Sequence, residues 1–501
     1  GWRSSVPTVR SSSATSRSAA CSRCAANGWP TGPSSTACSN GCARAGGPPR
    51  CATFPAGRTS GAAGSPAASI AAGAGKRVAV VEKATFGGES PNWGDIPLGS
   101  LLHAANTYHT AKAAAKFGLR TGTVGYNYPS LLSWRDTVVK RTGAGGNRSY
   151  YEKQGISVFA GNAHFLSPNE ISVNRRHLSA RKFLIATGSE WSIPNIPGLT
   201  ETPYYTPKTI LTLTRPPKSL CILGSGATAM EIAHLFSTFG TKVYIAEPSA
   251  QILPTFDAEV GQLLASDAKA QRGMKLLTQT KVVAVQKDGL QRRITYVQGG
   301  HEYTLKVDAL LVASGRTAAT DLGLENAGVK YTDRGISVNS SLQTSARHIF
   351  AAGGVVAPDA QTHSVLTHSR TAAHNLLHRT LLILDDQPQL RVAYTQPQIA
   401  QTGLTEIECK RRGRHARTAI APLTLTARSN ITDERTGFVK LISDKKGVLI
   451  GATIVAPHAS DMIAQLTLAI RTGLTAKQLM GTPNCFTAWS EAVRIAAGKL
   501  L

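Results

Sequence analysis

From about residue 59 the chain alternates short apolar runs with small, glycine-rich turns. "TSGAAGSPAASIAAGAGKRVAVVEK" (59–83) starts with small residues and continues as an alanine-rich helical stretch. After Gly75-Lys76 it ends in "RVAVVE", a continuous apolar run that predicts a buried strand. "SLCILGSGATAMEIAHLFSTFGTKVYIAEPS" (219–249) predicts strand, turn, helix and strand in unbroken order. Apolar strands running into small-residue turns recur at "FLIATGSEW" (183–191), "ALLVASGRTAAT" (309–320) and "HIFAAGGVV" (348–356). From about residue 390 the texture changes. "GFVKLISDKKGVLIGATIVAP" (437–457) predicts a hairpin, and "ASDMIAQLTLAIRTG" (459–473) a helix. Strand–helix alternation followed by a hairpin-rich end predicts an α/β chain with a separate C-terminal α+β domain.

The turns carry a second signal. In 219–249 the strand leads into Gly224-x-Gly226-x-x-Ala229, and the next strand ends on Glu247, 23 residues after Gly224. Glycines there let the backbone approach a pyrophosphate at a helix N-terminus, where free N–H groups and the helix dipole favour anions. A carboxylate at the following strand end accepts from a ribose 2′-hydroxyl and repels a 2′-phosphate, so NAD(H) is preferred over NADP(H). Residues 59–83 hold a second, damaged copy. Gly61 and Gly64 fit the second and third glycines, Thr59 stands at the first, and Glu82 ends the strand. The preceding segment "CATFPAGR" (51–58) has a proline and few aliphatic residues, and does not read as a strand. Two dinucleotide-binding units in one chain fit hydride transfer between a nicotinamide and a flavin.

Composition adds three constraints. A length of 501 residues fits two to four domains. No apolar run approaches the roughly 18 residues of a membrane-spanning helix. The net charge of +26 is compatible with nucleic acid or another anionic partner. With no basic recognition motif, a basic surface or tail is the favoured reading. Cys21, Cys24, Cys38, Cys42 and Cys51 crowd the first 51 residues, and the first four have spacing suited to zinc. Residues 1–60 nevertheless contain no Asp or Glu and are rich in Ser, Ala, Gly, Pro and Arg. That composition favours a disordered or transit-like segment over a metal site, and a shifted reading frame is a third explanation. No metal is expected. Location is then cytoplasmic, or mitochondrial if residues 1–58 are a transit segment.

The segment "GGESPNWGDIPLGSLL" (87–102), together with the two glycine turns and the C-terminal domain, resembles the class I pyridine nucleotide-disulfide oxidoreductases. The dihydrolipoamide dehydrogenase and mercuric reductase members are the most similar in look. The resemblance covers roughly residues 59–501, with the landmarks in family order. It implies a homodimer of two Rossmann-like domains and a C-terminal dimerisation domain that completes the partner's active site. The FAD domain would span 59–200 and 331–390, the NAD(H) domain 201–330 and the dimerisation domain 391–501. Gly61, Gly64, Glu82, Gly88, Ala163, Thr187, Gly188, Gly353 and Gly354 fall where such proteins touch FAD. Gly224, Gly226, Ala229, Glu231, Glu247 and Gly315 fall where they touch NAD(H).

The departures alter the expected chemistry. The two redox-cysteine positions hold Ser90 and Asp95, and the lysine near the flavin is Gly99. The position of the catalytic histidine is Phe486, expected to be buried, while its orienting glutamate remains as Glu491. The flavin-contacting aspartate is Gly354, and the tyrosine that covers the nicotinamide in some members is Ala227. Serine and aspartate form no disulfide and no thiolate, and phenylalanine carries no proton. Cys485 is the only thiol close by in sequence, and "AAGKLL" at the C-terminus lacks the cysteine pair of mercuric reductases. The expected function is therefore electron transfer from NADH through FAD to a small-molecule, non-disulfide acceptor, as in a diaphorase, quinone reductase or transhydrogenase. The alternatives are a non-catalytic dimeric scaffold or binding protein, and an altered copy of an ordinary dihydrolipoamide dehydrogenase.

Overall fold

In the computed structural model, which describes residues 52–56, 61–142, 148–271, 273–385 and 388–501, a five-stranded parallel sheet opens the fold. Its strands are β1 (Ala52–Ala56), β2 (Val78–Glu82), β3 (Ser157–Ala160), β4 (Phe183–Ile185) and β9 (Ile349–Ala351). They lie in the order β9-β4-β1-β2-β3. The predicted strand at 77–82 is β2, and every one of its residues is buried, as its unbroken apolar run requires. The cysteines of the suggested zinc site and Thr59 lie outside the described residues.

The central strand departs from the sequence reading. Residues 51–58 do not look like a strand, yet Ala52–Ala56 pair with β2 along their whole length, from Ala52↔Val78 to Ala56↔Glu82. On the other side the ladder to β4 is the single pair Thr53↔Phe183. Pro55 has no N–H to donate, and the longer ladder runs on one side only. Flanking strands override the weak local propensity. The segment 1–58, set aside on composition, thus contains one strand of this sheet.

Helix α1 (Gly61–Gly73) follows β1 and packs on α5 (Thr362–Leu377). Its face is almost all alanine, so Ala63, Ala67, Ala68 and Ala71 bring the two helices close. Ser369 Oγ donates to the Ala63 carbonyl at 2.6 Å across this contact. The shape is an alanine ridge with no bulky side chain to hold the helices apart.

A second parallel sheet contains β5 (Ser219–Leu223), β6 (Lys242–Ala246), β7 (Lys275–Leu277) and β8 (Ala309–Val312), in the order β7-β6-β5-β8. The predicted strand–turn–helix–strand stands as β5, α4 (Ala227–Thr238) and β6. An antiparallel meander over 280–307 covers one face, with Val285, Ile294 and Val307 against Cys221, Leu223 and Leu310.

The C-terminal sheet is antiparallel, in the order β10-β11-β14-β13-β12. Its strands are β10 (Leu390–Ala393), β11 (Gln398–Gly403), β12 (Arg417–Pro422), β13 (Phe438–Ser443) and β14 (Leu449–Ala456). The predicted hairpin is β13–β14, and the predicted helix is α6 (Ala459–Arg471). Together with α7 (Glu491–Gly498) it covers one face of the sheet. Among the described residues no helix is long and apolar enough to cross a membrane, and no His/Cys/Asp/Glu group could hold a metal.

Two features bind the second and third sheets. The segment 87–102 forms α2 (Glu89–Asn92) and α3 (Asp95–Ala113), and Leu98, Leu101, Leu102 and Ala105 join one core with Met230, Ala393, Phe438 and Val455. Beside it, Lys440 of β13 is 1% exposed and meets Asp257, Glu259 and Glu406 at 3.3, 2.9 and 3.1 Å. A buried ammonium is tolerated only with such partners, and they hold its pKa above the ordinary lysine value against the effect of burial.

Candidate functional site

The C-terminal ends of the strands in a parallel sheet are where ligands bind, because loops and helix N-termini converge there. In the first sheet the residue at that edge is Glu82, the last of β2. It is 1% exposed. Its Oε1 accepts from the Ala84 amide at 2.8 Å, while its Oε2 is buried and has no hydrogen-bond partner among the described residues. Burial pushes its pKa up to about 8, against the opposing pull of the Ala84 and Lys83 amides and the Lys83 charge. A buried, half-satisfied carboxylate is a place for a donor such as a sugar hydroxyl.

The other expected FAD contacts gather on this edge. The Gly161 amide donates to the Glu82 carbonyl at 2.9 Å, which sets the hairpin strand starting at Ala163 next to it. Ser65 and Tyr151 hydroxyls meet at 2.6 Å, and Tyr151 senses the Glu82 charge after the larger effect of its own burial. Gly61 begins α1 and Gly64 is buried within it. Thr187 Oγ donates to the Ala319 carbonyl at 2.6 Å, and Gly188 beyond it adopts φ 76°. Gly353 has φ 81°, and a Cβ there would stand 3.1 Å from the Ala63 Cβ, so glycine is required twice over. A Cβ on Gly354 would lie 2.8 Å from Ser189 Oγ. The loop has closed onto Ser189 where the resemblance calls for an aspartate.

In the second sheet, Gly224 turns at φ 99°, and a Cβ would lie 2.6 Å from the Ala313 carbonyl oxygen. Gly226 caps α4 and Ala229 is buried in its first turn. Positions Gly226 and Gly315, the latter at φ 126°, both face open space where a Cβ would meet nothing within 4 Å. That leaves a backbone-walled cradle at the α4 N-terminus, suited to a pyrophosphate. Glu247 is buried just past β6; its oxygens accept from Ser225 Oγ at 2.6 Å and the Ser249 amide at 2.8 Å.

Glu231 does not join this cradle. It is buried on α4, and Oε1 accepts from the Tyr394 amide at 2.9 Å, toward the C-terminal sheet. Burial pushes its pKa up to about 8, and the Asp95 charge adds to the effect. Glu231 thus stands on the side of α4 toward the C-terminal sheet, within range of the Asp95 charge.

The segment itself is firmly held. Asn92 Nδ2 donates to the carbonyls of Phe86 at 3.0 Å and Gly88 at 2.7 Å. Gly88 caps α2 at φ 76°. Ser90 is half-buried on α2; Asp95 is exposed at the start of α3 and accepts from Thr362 Oγ at 2.5 Å. Gly99 faces open space. Lys208 lies 4.2 Å over the Trp93 ring. Phe486, expected to be buried, is 77% exposed, beside Thr487 in the left-handed region at φ 61°. Glu491 opens α7 with Oε2 buried and unpartnered. Among the described residues the free thiols are Cys221 and Cys409, both buried, and exposed Cys485. Burial pushes the Cys221 thiol up to about 12.

One contact had no local signal. Arg316 grips Glu89, 227 positions away in the chain, with both terminal nitrogens. Only its place directly after Gly315 marks it in the sequence.

Residues 60–375 match the pyridine nucleotide-disulphide oxidoreductase family, and residues 390–497 match its dimerisation domain. A dihydrolipoyl dehydrogenase of Thermus scotoductus is 35% identical over 446 residues, spanning 88% of this chain and 95% of that protein. A mercuric reductase of Staphylococcus aureus is 32% identical over 426 residues, spanning 84% of this chain and 78% of that protein. Among solved structures, the Cu(II) complex of the HOCl-induced flavoprotein disulfide reductase RclA from Escherichia coli superposes with a TM-score of 0.79. It is 26% identical and the match covers 90% of this chain and all of that one.

Proposed function

Because this chain belongs to the pyridine nucleotide-disulphide oxidoreductase family, whose members use FAD with NAD(H) or NADP(H), we propose that it is an NADH oxidoreductase whose acceptor is not a disulfide. An FAD-dependent oxidoreductase is the family's coarser reading, and the match to its dimerisation domain supports a homodimer. The observation that carries the finer reading is the pair Ser90 and Asp95, half-buried and exposed on consecutive helices of the 87–102 segment. Neither side chain can attack or form a disulfide. Cys221 and Cys409 are buried in other domains, with thiols shifted upward and away from the reactive thiolate form.

Glu82, whose Oε2 has no partner among the described residues, would hold the ribose of FAD, beside the turn that Gly188 makes at positive φ. Bound FAD supplies the two-electron centre that takes hydride from NADH and passes electrons on. Gly226 and Gly315 would cradle the pyrophosphate of NADH, and Glu247 would accept from its ribose. Asp95 sits at the rim, exposed and held by Thr362, where a planar acceptor such as a quinone or a dye would enter. The positions of the family's acid–base pair hold Phe486 and Glu491, so a proton for the acceptor would come from solvent.

The test is the visible spectrum of the purified protein, followed by addition of NADH without oxygen. A yellow protein that NADH bleaches, and that reduces quinones but releases no thiol from lipoamide, supports the reading. Lipoamide turnover would overturn the acceptor assignment. A colourless protein that takes up no FAD would favour the dimeric scaffold.

A further inference from the structure

The two glycine-lined sites are joined through one side chain. Arg316 directly follows Gly315, at the edge of the second site. Its Nη1 donates to Glu89 Oε1 at 3.0 Å and its Nη2 to Glu89 Oε2, and Glu89 is the neighbour of Gly88. Its Nε donates to Ser189 Oγ at 2.9 Å, and Ser189 is the neighbour of Gly188. The Ser189 hydroxyl in turn donates to the Pro358 carbonyl at 2.9 Å, four residues past Gly354. The Trp191 ring lies against the guanidinium at 4.4 Å. The Glu89 and Arg316 side chains are only 17% and 16% exposed. The short ribbon of Ser189–Trp191 paired with Arg316–Ala318 carries the assembly.

A forked, stacked guanidinium between three turns is more than an ion pair. Arginine supplies five donors in a rigid plane, and here four directions are used: two on a carboxylate, one on a hydroxyl and one face on an indole. We propose that Arg316 is a positioning residue that fixes the flavin-side turns at Gly88 and Gly188 against the nicotinamide-side turn at Gly315. The proposal rests on the reading of those turns as FAD and NAD(H) sites. In relatives with a disulfide, a covalent link braces the segment that follows the Gly-Gly pair. Here the brace on that segment is electrostatic and comes from the second site.

Coupling is the property that separates positioning from simple stability. If one side chain holds both sites, filling one orders the other, and the two affinities are linked. The experiment is calorimetric titration of NAD+ into flavin-free and FAD-loaded protein, for the parent, Arg316→Met, Arg316→Lys and Glu89→Gln. FAD is expected to raise NAD+ affinity in the parent by about fivefold or more. That gain should vanish in Arg316→Met and Glu89→Gln, and lysine should not restore it, since a point charge forms neither the fork nor the stack. Flavin reduction by NADH should fall by roughly 100-fold in Arg316→Met with FAD content unchanged, the scale of an ångström-sized misplacement. Equal coupling in Arg316→Met and parent, or none in the parent, would overturn the proposal. If Arg316→Met fails to fold, Glu89→Gln, which keeps the shape of the side chain, decides it by the same comparison. A parent that binds no FAD would instead overturn the functional reading, and the proposal with it.

Discussion

Glu82 offers the most direct measurement of whether the first site binds FAD. Flavin-free, its carboxyl titrates at about 8 because burial disfavours the charge and Oε2 has no donor. At pH 7 the group is then about nine-tenths protonated. A ribose hydroxyl donating to Oε2 would stabilise the carboxylate and return its pKa toward the ordinary range. Binding therefore releases close to one proton below pH 8, and FAD affinity should rise about tenfold per pH unit between roughly pH 6 and 8, or about 1.4 kcal/mol per unit. The titratable neighbour Tyr151 is pushed further up by its own burial, away from that range.

The sign for stability runs the other way. The folded, flavin-free chain holds this proton between about pH 4.5 and 8, whereas the unfolded chain does not. Its stability should therefore fall as pH rises through that window, by up to about 5 kcal/mol, and level off above it. In Glu82→Gln both slopes should disappear, and FAD affinity at pH 8 should drop by about 1.5–3 kcal/mol, the worth of a hydrogen bond to a charged group. Calorimetry in two buffers of different ionisation enthalpy counts the proton directly. A parent that releases none, or a Glu82→Gln variant with the parent's pH slope, would show that Glu82 does not meet the ribose.

Other perturbations test the remaining sites. Glu247→Ala should weaken NADH binding by about 1.5 kcal/mol; unchanged affinity in a titration would remove it from the nucleotide site. Gly354→Asp should lower the melting temperature, because its Cβ would crowd Ser189 Oγ at 2.8 Å. A melting temperature equal to the parent's would show that the loop at Gly354 has room to move off Ser189. Lys440→Met should cost about 3–5 kcal/mol by leaving buried Asp257 and its carboxylate neighbours without a cation; denaturant unfolding with a loss under about 1 kcal/mol would mean the ion cluster is neutral to stability.

Legibility followed the range of each interaction. The strand–turn–helix–strand of the second sheet was plain in the sequence because strand, glycine turn, helix and acid lie within 29 residues, and each is dictated locally: Gly224 must turn at positive φ, and β5 and β6 must be apolar. The first site was half legible. Glu82 and the α1 glycines follow the same local logic, but β1 draws its stability from strands that follow it in the chain, so Ala52–Ala56 looked like a loop. The Tyr394 partner of Glu231 was not legible, because α4 is buried on most sides and helical spacing alone does not say which buried face meets which partner. Phe486 is exposed in the single chain but lies in the dimerisation domain, so its burial depends on a partner subunit that one chain's sequence pattern does not describe. Arg316, Glu89 and Trp191 had no periodic or motif signal at all, since their contact joins residues up to 227 positions apart.

In the segment 87–102 the residues that hold the shape are separate from those that set the chemistry. Its glycines and Asn92 serve shape: Gly88 caps α2 at positive φ, and the Asn92 amide closes the loop on two carbonyls. None of these contacts involves the side chains of residues 90 or 95, so the loop's shape does not depend on what stands there. Asp95 brings a carboxylate to a place near Glu231, whose pKa burial and that charge hold at about 8. Glu231 is thus largely protonated at neutral pH, a buried acid beside the segment. Substituting Asp95→Asn would remove the charge while keeping a group within reach of Thr362, and should lower the Glu231 pKa. A Glu231 titration that does not move in that variant, followed by carbon-detected NMR of the carboxyl, would break the link between the two acids.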